Sequence, residues 1–160
     1  MPHPTLGLPP RDLTVGLPAA AERMRAARPR LIARTLEVAA SIDPTFTTRH
    51  DDLSLRRFAR DLETYIEQVA LGVAGDDPSY LSRWAEWLAP TYRRRRVPMD
   101  DLVTLSEGLR SALPAVLAPN EMPPADAAID AGIAVFRWHR RLGGDARRRN
   151  RILQAIYRGA

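Results

Sequence analysis

DPSYLSRWAEWLAPTYRRRRVPMDDLVTLSEGLRSALPAVL, residues 77–117, carries the reading on which the fold depends. Asp77 is a helix cap and Pro78 suits a first helical position, where a missing N–H costs nothing. Leu81, Trp84 and Leu88 then recur at helical spacing, with Tyr80 and Trp87 widening the stripe. Pro90 predicts a kink or a rebuilt last turn before Arg93. Val97-Pro98 restarts the chain, and Asp100 and Asp101 fall where a helix N-terminus favours negative charge. Leu102, Leu105, Leu109, Leu113 and Val116 form a second stripe. Two antiparallel helices with facing apolar stripes are therefore expected at the centre.

Working outward, residues 55–73 keep the same period through Leu55, Phe58, Leu62, Ile66, Val69 and Val73. Asp51 or Asp52 caps this helix, and Gly75-Asp76-Asp77-Pro78 stops it. Upstream, helical composition starts at Pro18 and runs to Ile42; Pro29 either opens a second helix or kinks a continuous one. Residues 44–52 are a connector. Residues 1–17 contain four prolines without sustained periodicity and read as a flexible arm, with Leu6, Leu13 or Leu17 available for docking. Downstream, residues 118–124 form a Pro-rich turn and Ala125 opens a long helix carrying Ile129, Ile133 and Phe136. Gly143-Gly144 breaks or hinges it, and a final segment carries Ile152, Leu153, Ile156 and Tyr157. No alternating run is bounded by hairpin signals. The expectation is one all-α domain, residues 18–160, folded as a bundle of five to six helices.

A chain of 160 residues supports a core without staples, and the absence of cysteine excludes disulfides and thiol chemistry. No apolar run reaches membrane-spanning length and the N-terminus lacks signal-peptide order, so a cytoplasmic, non-membrane protein is expected. Every basic residue is arginine. Residues 1–80 hold ten arginines against eleven carboxylates, and residues 81–160 hold fourteen against eight. That basic second half favours an anionic partner.

Enzyme signatures are weak. His3, His50 and His139 share no metal-ligand spacing, and residues 53–118 contain no histidine to hold haem. The pairs Asp51/Asp52, Asp76/Asp77 and Asp100/Asp101 are explained as caps and dipole partners. Arg93, Arg94, Arg95 and Arg96, with Arg137, Arg140, Arg141 and Arg148, are the candidate contacts to an anion or a partner. Trp84, Trp87, Trp138 and His139 are candidates for a ligand pocket or interface, the tryptophans being read first as core. No cofactor, metal or catalytic residue is expected.

Gly75-Asp76-Asp77-Pro78, the Trp-rich helix to Tyr92, and Arg96-Val97-Pro98-Met99-Asp100-Asp101-Leu102-Val103 resemble the N-terminal helical sensor domains of RsbR-type stressosome proteins, over residues 30–118. The resemblance implies a globin-like fold without haem, dimerisation, and a signal passed through the last helix to an output module, which these 160 residues do not include. The function expected is a non-enzymatic bacterial signalling or regulatory module that acts through protein contacts and senses a small ligand in its helical core. A homodimer through the final helices and a regulatory protein partner follow from it. The alternatives are a nucleic-acid-binding protein using the C-terminal arginines, and an enzyme with carboxylate acid/base residues such as Asp77 or Glu107.

Overall fold

The computed structural model describes residues 15–149, with side chains through Leu142. It is an all-α bundle: α1 (Pro18–Ala26), α2 (Arg28–Ile42), α3 (Phe46–Arg49), α4 (Asp52–Gly75), α5 (Ser79–Arg94), α6 (Met99–Ala112) and α7 (Met122–Arg149), with short 3₁₀ turns at Leu113–Ala115 and Pro119–Glu121. Seven helices among the described residues replace the expected five to six, for two local reasons. Ala27 leaves helical geometry at φ −92° and ψ 3°, and Pro29 sits in the first turn of α2, so the 18–42 stretch divides. The connector folds its middle into α3, burying Phe46. The expected break at Gly143-Gly144 is absent, because α7 continues through both glycines. It also opens at Met122 rather than Ala125, its prolines lying in the first turn where their missing N–H groups bond nothing. Ile152, Leu153, Ile156 and Tyr157 lie outside the described residues.

The ends of the long helices follow from capping chemistry. Asp51 Oδ1 accepts the Ser54 N–H at 2.8 Å, opening α4, and Asp77 Oδ1 accepts the Ser79 N–H at 2.9 Å, opening α5. α4 ends with Asp76 in the left-handed region (φ 48°), and Asp77 N–H returns to the Gly72 carbonyl. α5 ends likewise: Arg96 has φ 60°, its N–H reaches the Arg93 carbonyl, and Val97 N–H reaches the Tyr92 carbonyl. Both are Schellman turns built on a non-glycine residue. Pro90 lies inside α5, where it removes the donor to the Glu86 carbonyl one turn earlier.

The expected direct pairing of α5 with α6 is not what forms. Each packs on α7, and the two meet only sparsely; α2 packs on α6 and α1 on α4. Small residues set this arrangement. A Cβ on Gly132 of α7 would stand 2.9 Å from Leu81 Cδ2 of α5, and one on Gly108 of α6 would stand 2.6 Å from the Thr35 carbonyl of α2. The core then fills with the expected stripes, including Phe58, Leu62, Ile66, Leu102, Leu105, Leu109, Ile129, Ile133 and Phe136. Gly16 (φ 117°) and Leu17 close the near end of the arm, Leu17 N–H donating to the Val73 carbonyl at 2.9 Å; residues 1–14 lie outside the described residues.

Candidate functional site

Between α4, α5, α6 and α7 the core leaves a hollow lined by Phe58, Asp61, Leu62, Tyr65, Trp84, Leu88, Tyr92, Leu102, Leu105 and Phe136. Its empty space, open solvent at the mouth included, is about 260 Å³, and the closed interior has room for about one water. Phe58 and Tyr92 stack at 5.6 Å and 5°, and Tyr65 meets Trp84 edge-on at 5.5 Å. Tyr65 Oη donates to Ser106 Oγ at 2.8 Å, and Ser106 donates to the Leu102 carbonyl at 2.7 Å. Tyr92 donates to the Asp61 carboxylate. Burial first pushes the Tyr92 phenol well above its ordinary range, and the Asp61 carboxylate adds to it; burial does the same for Tyr65. Both phenols are therefore fixed as neutral donors at ordinary pH.

Beside the hollow lies a polar clasp that the sequence reading missed. Asp101, in the first turn of α6, is 1% exposed. Its Oδ1 accepts from Arg49 Nη2 at 2.6 Å, and its Oδ2 meets His50 Nε2 at 2.6 Å. Arg49 also reaches Asp43 Oδ2 at 2.6 Å, so one guanidinium ties both ends of the α2–α4 connector to α6. His50 packs edge-on to Phe58 at 4.8 Å and lies 5.0 Å from Phe46. It has fixed support after all, contrary to its reading as an unsupported connector residue. Spacing held the signal: Asp101 stands four residues before Leu105 and eight before Leu109, on the buried stripe, whereas Asp100 does not.

The predicted tryptophans separate. Trp84 is half-buried in the wall of the hollow, but Trp87 is 70% and Trp138 51% exposed, so neither belongs to the core. The reason is that Ala85 and Ala89 occupy the buried line of α5, where small side chains let α7 approach, and Trp87 falls on the opposite side. On α7, Val135 is buried while Trp138 and Leu142 (43%) face outward. His139 Nε2 meets Glu86 Oε2 at 2.8 Å across the α5/α7 seam, with its Nδ1 buried and without a partner. Trp87 and Trp138 are the sequence neighbours of that pair, one on each helix.

The arginines divide as sharply. Arg140 pairs with Asp100 at 3.1 Å, joining α7 to α6. Arg94 donates to Thr91 Oγ1 at 3.1 Å; Arg95 lies 5.8 Å over the Tyr92 ring, and Arg141 5.6 Å over Trp138. Arg93 is engaged within the chain, Arg96 is the turn residue of α5, and Arg137 is exposed. The side chain of Arg148 lies outside the described residues. Elsewhere arginines act as pins: Arg25 and Arg28 both bind Glu67, and Arg110 holds Glu107, Asp126 and Asp130. Asp77 caps α5, and Glu107 pairs with Arg110, so the two carboxylates named as acid/base alternatives have structural partners.

Among the described residues no cluster of three or more His, Asp or Glu could hold a metal, and no helix is long and apolar enough to cross a membrane. Comparison with protein families, with curated proteins and with solved structures finds no match for this chain.

Proposed function

We propose that the chain is a non-enzymatic signalling or regulatory module of the bacterial stressosome-sensor type, acting through protein contacts on the outer α5/α7 face. The observation that carries the reading is the exposure of Trp87, Trp138 and Leu142 around the Glu86–His139 contact. Large aromatic side chains left in water on adjoining helices are costly for a monomer and are the residue types that anchor interfaces. The occupant proposed is a second copy of this chain. Arg141 lies over the Trp138 ring, so in the proposed dimer its guanidinium swings to the rim as the rings meet at the centre. The globin-like, haemless arrangement belongs to the same proposal. It is supported by an internal hollow that neither His50 nor His139 lines, each histidine being held by a carboxylate elsewhere. The hollow is the proposed sensing element.

Sedimentation equilibrium over a wide concentration range tests the contact. The expected weight-average mass rises above 17.9 kDa towards a dimer. Trp138→Glu and Trp87→Glu each return it to the monomer with helical circular dichroism unchanged. A wild-type mass of 17.9 kDa at every concentration would remove the second copy as occupant.

A further inference from the structure

The outer side of α7 carries its charges in an order that fits one orientation of a second copy. Ile129, Ile133 and Phe136 face the core, whereas Ala127, Ala134 and Arg141, spaced at two helical turns, are exposed along the opposite line. The flank of that line towards α5 is apolar, with half-buried Ala131 and exposed Trp138 and Leu142. The flank towards α6 is charged. Asp126 and Asp130 lie in the first half of the helix, and Arg137 and Arg141 in the second. Arg110 is shared by Glu107, Asp126 and Asp130, so the acidic half keeps an excess of negative charge. Arg137 and Arg141 make no ion pair among the described residues, Arg141 lying over the Trp138 ring instead.

Parallel pairing of two α7 helices would set each carboxylate and each arginine against its own copy, a repulsive arrangement. Antiparallel pairing reverses this. The midpoints of Asp126 and Arg141, and of Asp130 and Arg137, coincide beside Ala134, so one twofold axis there matches both pairs. To within one residue, the same axis sets Trp138 of each copy opposite Ala131 of the other, where a methyl group leaves room for an indole. We infer that two copies associate through antiparallel α7 helices crossing at Ala134, with Trp138 seated over the other copy's Ala131. Arg137 and Arg141 then face Asp130 and Asp126 of the other copy at the rim. The inference rests on a second copy covering the α5/α7 face, and supplies its orientation and register. It places the two Arg149 ends about 45 Å apart along the axis, pointing in opposite directions.

The chain has no cysteine, so single cysteines at exposed positions read the orientation without background. Ala127→Cys, Ala134→Cys and Arg141→Cys are each checked for helical circular dichroism and then oxidised with copper phenanthroline. A disulfide needs Cα atoms about 4.4–6.8 Å apart. Ala134→Cys should link to its own copy and give a band at twice the chain mass. Ala127→Cys alone and Arg141→Cys alone should link about tenfold less, each lying about 21 Å along the axis from its own copy. Mixed together, those two variants should link to one another. The inference is overturned by self-linking of Ala127→Cys, by no link in the mixture, or by no link at Ala134→Cys. Sedimentation of the cysteine-free chain separates the two proposals. A dimer without these links keeps the second copy as occupant and removes this register, and a monomer removes both.

Discussion

Replacing Asp101 by Asn, which keeps the shape and removes the charge, tests whether the clasp holds the connector to α6. The exposed Asp100→Asn in the same helical turn is its control, since both lose the same dipole complement. Two contacts are at stake. The His50 contact is buried on both sides, and a hydrogen bond to a charged group there is worth about 1.5–3 kcal/mol. The Arg49 contact is discounted, because that side chain is 36% exposed and keeps Asp43 as a second partner; it adds less than about 1 kcal/mol. Asn retains one acceptor, so the net loss is about 2–3 kcal/mol, or a fall in Tm of about 4–12 °C. Asp100→Asn breaks only the exposed pair with Arg140 and should change stability by less than about 1 kcal/mol. Urea unfolding followed by far-UV circular dichroism at neutral pH measures both. Equal effects of the two variants would refute the clasp, as would a change below about 0.5 kcal/mol for Asp101→Asn.

Gly108→Ala should destabilise by about 1–3 kcal/mol, because its Cβ meets the rigid Thr35 carbonyl at 2.6 Å. Gly132→Ala should cost less, about 0.5–2 kcal/mol: its Cβ meets the Leu81 side chain at 2.9 Å rather than backbone, and alanine, the better helix former, offsets part of the clash. Thermal melts of the pair give the ranking, and the reverse order would contradict the helix contacts described. The Asp43 carboxyl is held down to about 2 from 3.8, by Arg49 first and then by Thr45. A carboxyl with a depressed folded pKa contributes stability that is complete above about pH 4 and disappears as pH falls through about 2. Asp43→Asn should therefore flatten that part of the acid limb in urea titrations between pH 4 and 2; parallel curves for variant and wild type would disprove the assignment.

Much of the bundle was legible because its stripes are redundant. Leu102, Leu105 and Leu109, or Phe58, Leu62 and Ile66, repeat often enough for helical period to identify their buried side. Trp87 and Trp138 misled for a related reason: a periodicity count treats every large apolar residue alike, whereas the close-packed line on α5 runs through Ala85 and Ala89. The pairing of helices was also hidden, since Gly108 and Gly132 decide it by what they lack. His50 and Asp101 lie 51 residues apart, and no local rule joins them. Asp61 offered still less, because a carboxylate near the exposed face of a helix looks ordinary until its neighbours from α5 surround it. The Schellman turn at Arg96 uses a residue whose type does not announce a left-handed backbone, whereas Asp76 is of a type that tolerates it.

The unbroken run of α7 makes it a lever as well as a wall. Its 28 residues span about 42 Å. From His139, the last position seen to grip α5, about 15 Å of helix runs on to Arg149. A tilt of about 10° at that fulcrum would sweep the far end through about 2.6 Å. Gly143 and Gly144 sit just beyond it and each weakens a helix by about 1 kcal/mol relative to alanine. Because α7 passes through both glycines without a break, any tilt of the helix at Phe136 would be carried along its length to Arg149.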